Sequence, residues 1–335
     1  MKHIAVIGAG SIGRRHVNNL SLLHPDATIY WLGNRGQINT EHSWQGVIFP
    51  TDLNALLAQP LDYCIIASPA SCHDQHFDIL CAHDIPLLVE KPLAATLAQA
   101  SKMRQLAAQK PSLPLAVGYC LRFLPALQQL QQHLQAGILG KILQVSCHVA
   151  QYLPDWRPQQ DYRRSVSAQA ALGGGALLEL SHELDYLAKL FGPLRLLHAH
   201  LQHSGLLELD VEDQADLVLC SEDNTLIVLH QDFLQHNVQR RCVISGVFGR
   251  LEWDLVSNQV ALVQGQQTQV LYQDAQYPSN TMYLDMLRCF ESTLPQNNAS
   301  SLSIEQTSLA SIEDAYCTMQ LIAAAKTMSN LEITS

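Results

Sequence analysis

The chain has 335 residues, 47% of them hydrophobic and 15% charged, which gives it the length for two domains with separate cores and the composition of a globular protein. A formal net charge of −10, with no basic run, excludes nucleic acid and anionic membrane as expected partners. No apolar stretch reaches the roughly 18 residues of a membrane span, and nine dispersed cysteines without a Cys-x-x-Cys pair fit the reduced thiols of a cytoplasmic protein.

Met1-Lys2-His3 runs straight into Ile4-Ala5-Val6-Ile7, which reads as a strand and not as a signal peptide. Gly8-Ala9-Gly10-Ser11-Ile12-Gly13 follows and opens a helix, the setting in which a dinucleotide is bound. Gly8 allows the tight turn, Gly10 lets backbone approach a pyrophosphate, and Gly13 lets helix and strand pack closely. Free N–H groups at the helix N-terminus, around Ser11 and Ile12, face the phosphates. At the end of the next strand, where an acidic residue would hold the ribose hydroxyls of NAD, the text is Gly33-Asn34-Arg35, with no carboxylate before Glu41. A guanidinium suits a 2′-phosphate, so Asn34 and Arg35 point to NADP as the preferred cofactor, with NAD as the alternative.

Strands are predicted over 3–7, 28–32, 63–67, 87–90 and 115–119, with amphipathic segments over 13–23, 73–83 and 97–109. That alternation makes residues 1–120 a Rossmann domain with a doubly wound parallel sheet. A helix is predicted over 125–136, a strand over 142–152, a polar irregular segment over 153–170, and a helix over 176–191 after Gly173-Gly174-Gly175. From 196 to about 272 come β-like runs at 214–220, 226–234, 239–245, 250–254 and 259–263, separated by turn residues as in a meander. Helices over 282–291 and 308–327 close the chain, so residues 121–335 form the second domain.

Four motifs stand in a fixed order. Ser68-Pro69-Ala70-Ser71-Cys72-His73 and Glu90-Lys91-Pro92 each follow a predicted strand, as does Gly118-Tyr119-Cys120-Leu121-Arg122-Phe123. The glycine triplet then precedes His182-Glu183-Leu184-Asp185. Together they resemble the Gfo/Idh/MocA family (glucose–fructose oxidoreductase, inositol dehydrogenase, rhizopine catabolism) over essentially the whole chain. The resemblance implies a second domain built on a large, open, predominantly antiparallel sheet with flanking helices, through which a homodimer or homotetramer forms. It implies hydride transfer between a nicotinamide cofactor and a hydroxyl or keto carbon of a sugar or sugar derivative. It also places Lys91 beside the nicotinamide and the reacting hydroxyl. Pro92 then fixes the backbone, Glu90 holds the loop, and Ser68, Pro69 and His73 belong to the cofactor-binding set.

An ammonium at Lys91 stabilises the alkoxide that develops as hydride leaves a carbinol. Glu179, His182 and Asp185 lie three apart, which on a regular helix puts an imidazole between two carboxylates on one face. That arrangement suits His182 as general base in oxidation and acid in reduction, with Glu179 as its orienter. Family members commonly have an Asp, three residues, then the His. Here only two residues separate Glu179 from His182, and one residue fewer turns a helical side chain by about 100°.

Substrate contacts are expected from Tyr152, Asp155, Trp156, Arg157, Asp161, Tyr162, Arg163 and Arg164, joined by Arg122 and His182. These ring faces, carboxylates and guanidinium groups suit hydroxyl-rich or anionic ligands. The arginines point to a phosphorylated, acidic or nucleotide-linked sugar, and Asp161-Tyr162-Arg163 with the text over 180–187 resembles a branch associated with sialic-acid-like and surface-glycan sugars.

No metal is expected. Cys72, His73, His76, Cys81 and His83 are spread along one helix too widely to meet at one ion, and His198 and His200 share a strand face without a third ligand. Two other functions share the architecture: an NAD-dependent glycosidase that oxidises its sugar transiently, and a non-catalytic NADP-binding redox sensor. The glycosidase would show no net cofactor consumption, and a sensor would need neither Lys91 nor His182.

Overall fold

In the first part of the chain, short apolar runs such as Ile4-Ala5-Val6-Ile7 become strands buried on both faces, and the amphipathic segments between them become covering helices. The computed structural model describes residues 2–33, 44, 46–295 and 302–329. Chain contacts divide it into two units: residues 1–120 with 283–316, and residues 121–282 with 317–335.

The first unit runs β1 (His3–Ile7), α1 (Ser11–Leu23), β2 (Thr28–Leu32), β3 (Val47–Ile48), α2 (Leu53–Leu57), β4 (Tyr63–Ile66), α3 (His73–Ala82), β5 (Leu87–Val89), α4 (Leu97–Ala108) and β6 (Leu115–Val117). The strand order is β6-β5-β4-β1-β2-β3, every pair parallel, and Ala310–Ser311 pairs antiparallel at the β6 edge. The order reverses between β1 and β4, the point at which open α/β sheets hold their ligands beyond the strand C-termini.

The second unit contains α5 (Pro125–Gln135), β7 (Ile142–Ala150), α6 (Ala176–Glu179), α7 (His182–Phe191), β8 (Leu194–Gln202), β9 (Gln214–Ser221), β10 (Leu226–Asp232), β11 (Gln239–Gly246), β12 (Gly249–Asp254), β13 (Gln259–Gln264) and β14 (Gln267–Gln273). These strands form one eight-stranded sheet, β14-β13-β12-β11-β7-β10-β9-β8, antiparallel throughout except between β10 and β7. On β9, buried Ala215, Leu217 and Leu219 alternate with more open Asp216 and Val218, so one face is core and the other is not. Helical side chains close the core face: Ala176 and Leu180 pack with Val149 and Phe233, and Tyr186 meets Trp253 edge-on at 5.1 Å. Two further helices are α8 (Thr281–Glu291) and α9 (Ile312–Met328). Among the described residues, no helix is long and apolar enough to cross a membrane.

Three differences from the sequence pattern have physical causes. The helix predicted over 176–191 is two, because the Leu180 carbonyl accepts a bond from Gln231 Nε2 at 2.6 Å while the Leu180 side chain sits in the Val149–Phe233 cluster. β8 and β14 are strands that the turn residues did not delimit. Residues 283–316 group with the first unit although the element pattern assigns 121–335 to one domain. The buried face of α8 explains this: Phe290 packs edge-on against Tyr63 at 5.6 Å, and the Glu291 carboxylate accepts from Tyr63 Oη at 2.6 Å and from Lys2 Nζ at 2.8 Å.

Candidate cofactor cradle and catalytic residues

The glycines of the first loop answer to different constraints. Gly8 has φ +126°, and a Cβ there would lie 2.2 Å from the Ala67 carbonyl oxygen; a Cβ on Gly13 would lie 2.0 Å from the Gly8 carbonyl oxygen. Both positions are therefore closed to any side chain by the protein itself. Around Gly10, nothing stands within 4 Å of an added Cβ. A glycine facing open space at the N-terminus of α1 is what close backbone approach of a pyrophosphate requires, so the loop fits a dinucleotide. The first turn of α1 carries no acidic side chain and no side-chain cap, which leaves Ser11 and Ile12 in a turn not neutralised from within. The buried Trp31 indole fixes the loop from beneath, donating from Nε1 to the Gly8 carbonyl at 2.8 Å. Only its position near the end of β2 could have drawn attention to it. Asn34 and Arg35, the residues behind the NADP expectation, lie outside the described residues.

The two following loops are tied together from within. Ser68 Oγ lies 3.0 Å from His76 Nδ1, and Pro69 opens the short turn before α3. His73, expected among the cofactor contacts, is instead buried, with Nε2 2.8 Å from the Ser68 carbonyl and Nδ1 3.1 and 3.2 Å from the Pro92 and Leu93 carbonyls. Burial pulls its imidazole below the usual histidine range, against the opposing pull of those carbonyls. Its two ring nitrogens face backbone oxygens of different loops, Ser68 on one side and Pro92 and Leu93 on the other, so the ring links the Ser68 and Lys91 loops.

Glu90, 5% exposed at the end of β5, places Oε1 2.6 Å from Nε2 of fully buried His16 and accepts the Lys91 N–H on Oε2 at 3.2 Å. A Cβ on Gly118 would meet that carboxylate at 3.1 Å, so the glycine leaves room for it. His16 was missed in the sequence, where it is one polar letter on the buried face of α1 beside Val17 and Leu20. Lys91 is half-buried, and its peptide bond to Pro92 is cis.

In the second unit the glycine triplet wraps a buried acid. A Cβ on Gly174 would lie 2.4 Å from the Val166 carbonyl oxygen, and one on Gly175, with φ +110°, 2.4 Å from Glu212 Oε1. The Glu212 carbonyl accepts the Ala176 N–H at 3.0 Å and its carboxylate accepts the Leu177 N–H at 3.2 Å. Burial pushes this carboxyl above its usual range, with Lys326 at 3.8 Å opposing.

Glu212 thus seats the start of α6, whose last residue is Glu179; His182 is the first residue of α7. The break at Leu180–Ser181 means that Glu179, His182 and Asp185 do not form the regular row expected of one helix. Asp185 lies three residues after His182 on α7 and has a partner of its own. It is 2% exposed and forms a bidentate pair with Arg122, itself 5% exposed, through bonds of 2.7, 2.9 and 3.2 Å. Arg122, expected to contact substrate, is held in the interior by this pair.

The polar segment is a succession of short turns over Leu153–Trp156, Tyr162–Arg164, Val166–Ala168 and Ala170–Leu172. Tyr152, Trp156 and Tyr162 are half-buried and rest on the cluster of Val149, Leu153, Leu207 and Phe233. The Tyr152 ring also meets the His236 ring at a tilt, centroids 3.9 Å apart, a neighbour that no sequence signal announced. Arg163 is exposed but occupied: its guanidinium bonds Asp161 at 2.8 and 3.0 Å and reaches Glu208 at 3.3 Å, and it holds the Asp161 carboxyl below its usual range. Arg157 and Arg164 are exposed.

Comparison with known proteins follows the same division. The sequence model of the oxidoreductase family with an NAD-binding Rossmann fold, GFO_IDH_MocA, matches residues 2–119, and the GFO/IDH/MocA C-terminal domain matches residues 127–252. The rhizopine catabolism protein MocA of Rhizobium meliloti is 30% identical over 193 residues, 56% of this chain and 57% of that protein. An inositol 2-dehydrogenase of Streptomyces avermitilis is 26% identical over 195 residues, 56% of this chain and 53% of that protein. These matches span about half the length of the relatives. A levoglucosan dehydrogenase crystallised with NADH and levoglucosan superposes with a TM-score of 0.80 at 16% identity, covering 98% of this chain and 97% of that one, which shows a shared fold.

Arg122→Ala would leave the Asp185 carboxylate buried without its cation, at a cost of about 3–5 kcal/mol. Chemical denaturation should therefore show a large loss of stability. An unchanged denaturation midpoint with a raised KM for substrate would return Arg122 to the substrate site.

Proposed function

Because the chain belongs to the Gfo/Idh/MocA family of oxidoreductases, with its NAD-binding Rossmann fold, we propose that it catalyses reversible hydride transfer between a nicotinamide cofactor and a hydroxyl- or keto-bearing carbon of a sugar or sugar derivative. The observation that carries this reading is the open space at Gly10, in a loop otherwise closed by protein contacts at Gly8 and Gly13. Ser11, Ile12, Ser68 and Pro69 complete the cofactor set, with Glu90 and His73 supporting the loops that carry Lys91.

A bound nicotinamide supplies the site that accepts or returns the hydride. Lys91, as an ammonium, stabilises negative charge on the carbinol oxygen as the C–H bond breaks. His182 takes the hydroxyl proton in oxidation and returns it in reduction, with Glu179 as its orienter. Tyr152, Trp156 and Tyr162 offer ring faces to the sugar, supported by the apolar cluster beneath them. Exposed Arg157 and Arg164 favour a phosphorylated, acidic or nucleotide-linked substrate, and sialic-acid-like sugars belong among those to be tried. Arg35, with no carboxylate in the sequence between Gly33 and Glu41, favours NADP over NAD. The open face of the second sheet, with Ser146, Val218, Val228 and Val243 away from the core, favours a homodimer or homotetramer formed there. Nine dispersed cysteines, with no Cys-x-x-Cys among them, favour a reducing, cytoplasmic setting.

A screen of free, phosphorylated and nucleotide-linked sugars, read by nicotinamide absorbance, tests the activity. With the substrate so found, Lys91→Ala should lower turnover by about 10²–10³-fold and leave NAD(P)H affinity within about threefold. Near-wild-type turnover would remove Lys91 from the mechanism. Arg35→Ala should weaken NADPH about tenfold more than NADH; an equal loss for both contradicts the cofactor preference.

A further inference from the structure

The open face of the second sheet gathers four residues from three strands. His148 stands on β7, Asp216 on β9, and His230 and Asp232 on β10. Parallel register sets His230 directly beside His148, and antiparallel register sets it beside Asp216. Asp232, two residues further along β10, points to the same face. One nitrogen of each imidazole and one Asp232 carboxylate oxygen lie within 4.8 Å of one another, and the two rings stack at 4.6 Å.

The surrounding groups aim these atoms inward. Asp216 Oδ1 accepts from His230 Nδ1 at 2.7 Å, which turns Nε2 of the same ring toward the cluster. Asp232 Oδ1 is taken by the N–H groups of Leu234 at 2.7 Å and Gln235 at 3.1 Å, which leaves Oδ2 to face His230 Nε2 at 2.7 Å. Asp232 is 2% exposed, and the two histidines are half-buried. The Gln235 amide nitrogen donates to Asp232 Oδ2 at 2.6 Å and lies 3.4 Å from His148 Nε2. An NH₂ group that points its protons at a carboxylate oxygen and an imidazole nitrogen fills the place a cation would take.

We propose that His148, His230 and Asp232 form a binding site for one divalent cation of the zinc class, independent of the hydride-transfer site. Two imidazoles and one carboxylate select a borderline ion over magnesium or calcium, which prefer all-oxygen sets. Ligands about 2.0–2.2 Å from zinc stand roughly 3.3–3.5 Å apart, so the cluster needs only side-chain adjustment. Three protein ligands leave a fourth position for water. On binding, the proton on His230 Nε2 passes to solvent and the Gln235 amide turns aside. Asp216 then forms the carboxylate–histidine–metal arrangement that orients the ligand and raises its basicity.

The test uses the full chain, stripped of metal by chelator and dialysis and then titrated with Zn²⁺ against a chromogenic chelator. One tight site per chain is expected, with a rise in melting temperature on zinc addition and no competition from Mg²⁺. His148→Ala should weaken that site at least about 100-fold, and Asp216→Asn about 10–100-fold. His200→Ala, on the exposed neighbouring strand, should leave it unchanged. Circular dichroism verifies the fold of each variant, and His148→Gln carries the same test should the alanine variant fail to fold. Equal zinc binding in wild type and the His148 variant, or binding lost only in the His200 variant, overturns the proposal.

Discussion

The buried pair between His16 and Glu90 is the constraint on which the first unit's functional geometry depends. His16 belongs to the helix that begins at the glycine loop, and Glu90 belongs to the loop that carries Lys91; their side chains meet at 2.6 Å with almost no solvent access. A buried polar group that loses its hydrogen-bond partner costs about 1–3 kcal/mol, and more when it carries charge. The pair therefore fixes two loops to each other. The Lys91 N–H on the same carboxylate, the space left by Gly118, and His73 beneath Ser68 and Leu93 all tighten that registration. The cradle and the lysine can be treated as one preorganised piece, the condition under which an ammonium lowers a barrier efficiently.

What was legible in the sequence was local. Gly8 and Gly13 answer to contacts that exclude any side chain, so their spacing between an apolar strand and a helix identifies the loop. The buried parallel strands reveal themselves as short apolar runs, and all five expected in the first unit are present to within two residues at each end. What was not legible depends on distant partners. The break at Leu180 is set by Gln231, 51 positions away; the fate of Arg122 by Asp185, 63 positions away; and the value of His16 by Glu90, 74 positions away. A window of helical length contains none of these pairs. The His148–His230–Asp232 cluster was hidden in the same way, since strand register, and not spacing, assembles it.

Pairing also changes how the arginines of the second unit should be counted. Arg122 is balanced by Asp185 in the interior, and Arg163 is balanced by Asp161 and Glu208 at the surface. A cationic substrate surface therefore rests on fewer residues than the sequence lists, chiefly exposed Arg157 and Arg164. The aromatic residues fare differently. Tyr152, Trp156 and Tyr162 share one apolar support and stay partly open, which gives ring stacking on a sugar a firmer physical basis than recognition of an anion.

The most direct test of the central constraint is the single-turnover rate of hydride transfer in Glu90→Gln, measured beside NAD(P)H affinity. This change keeps the side-chain volume and puts an amide where the carboxylate meets His16. The rate should fall at least about tenfold while affinity stays within about threefold, because the lysine loop loses its registration and the glycine cradle does not. A wild-type rate in that variant would contradict the account.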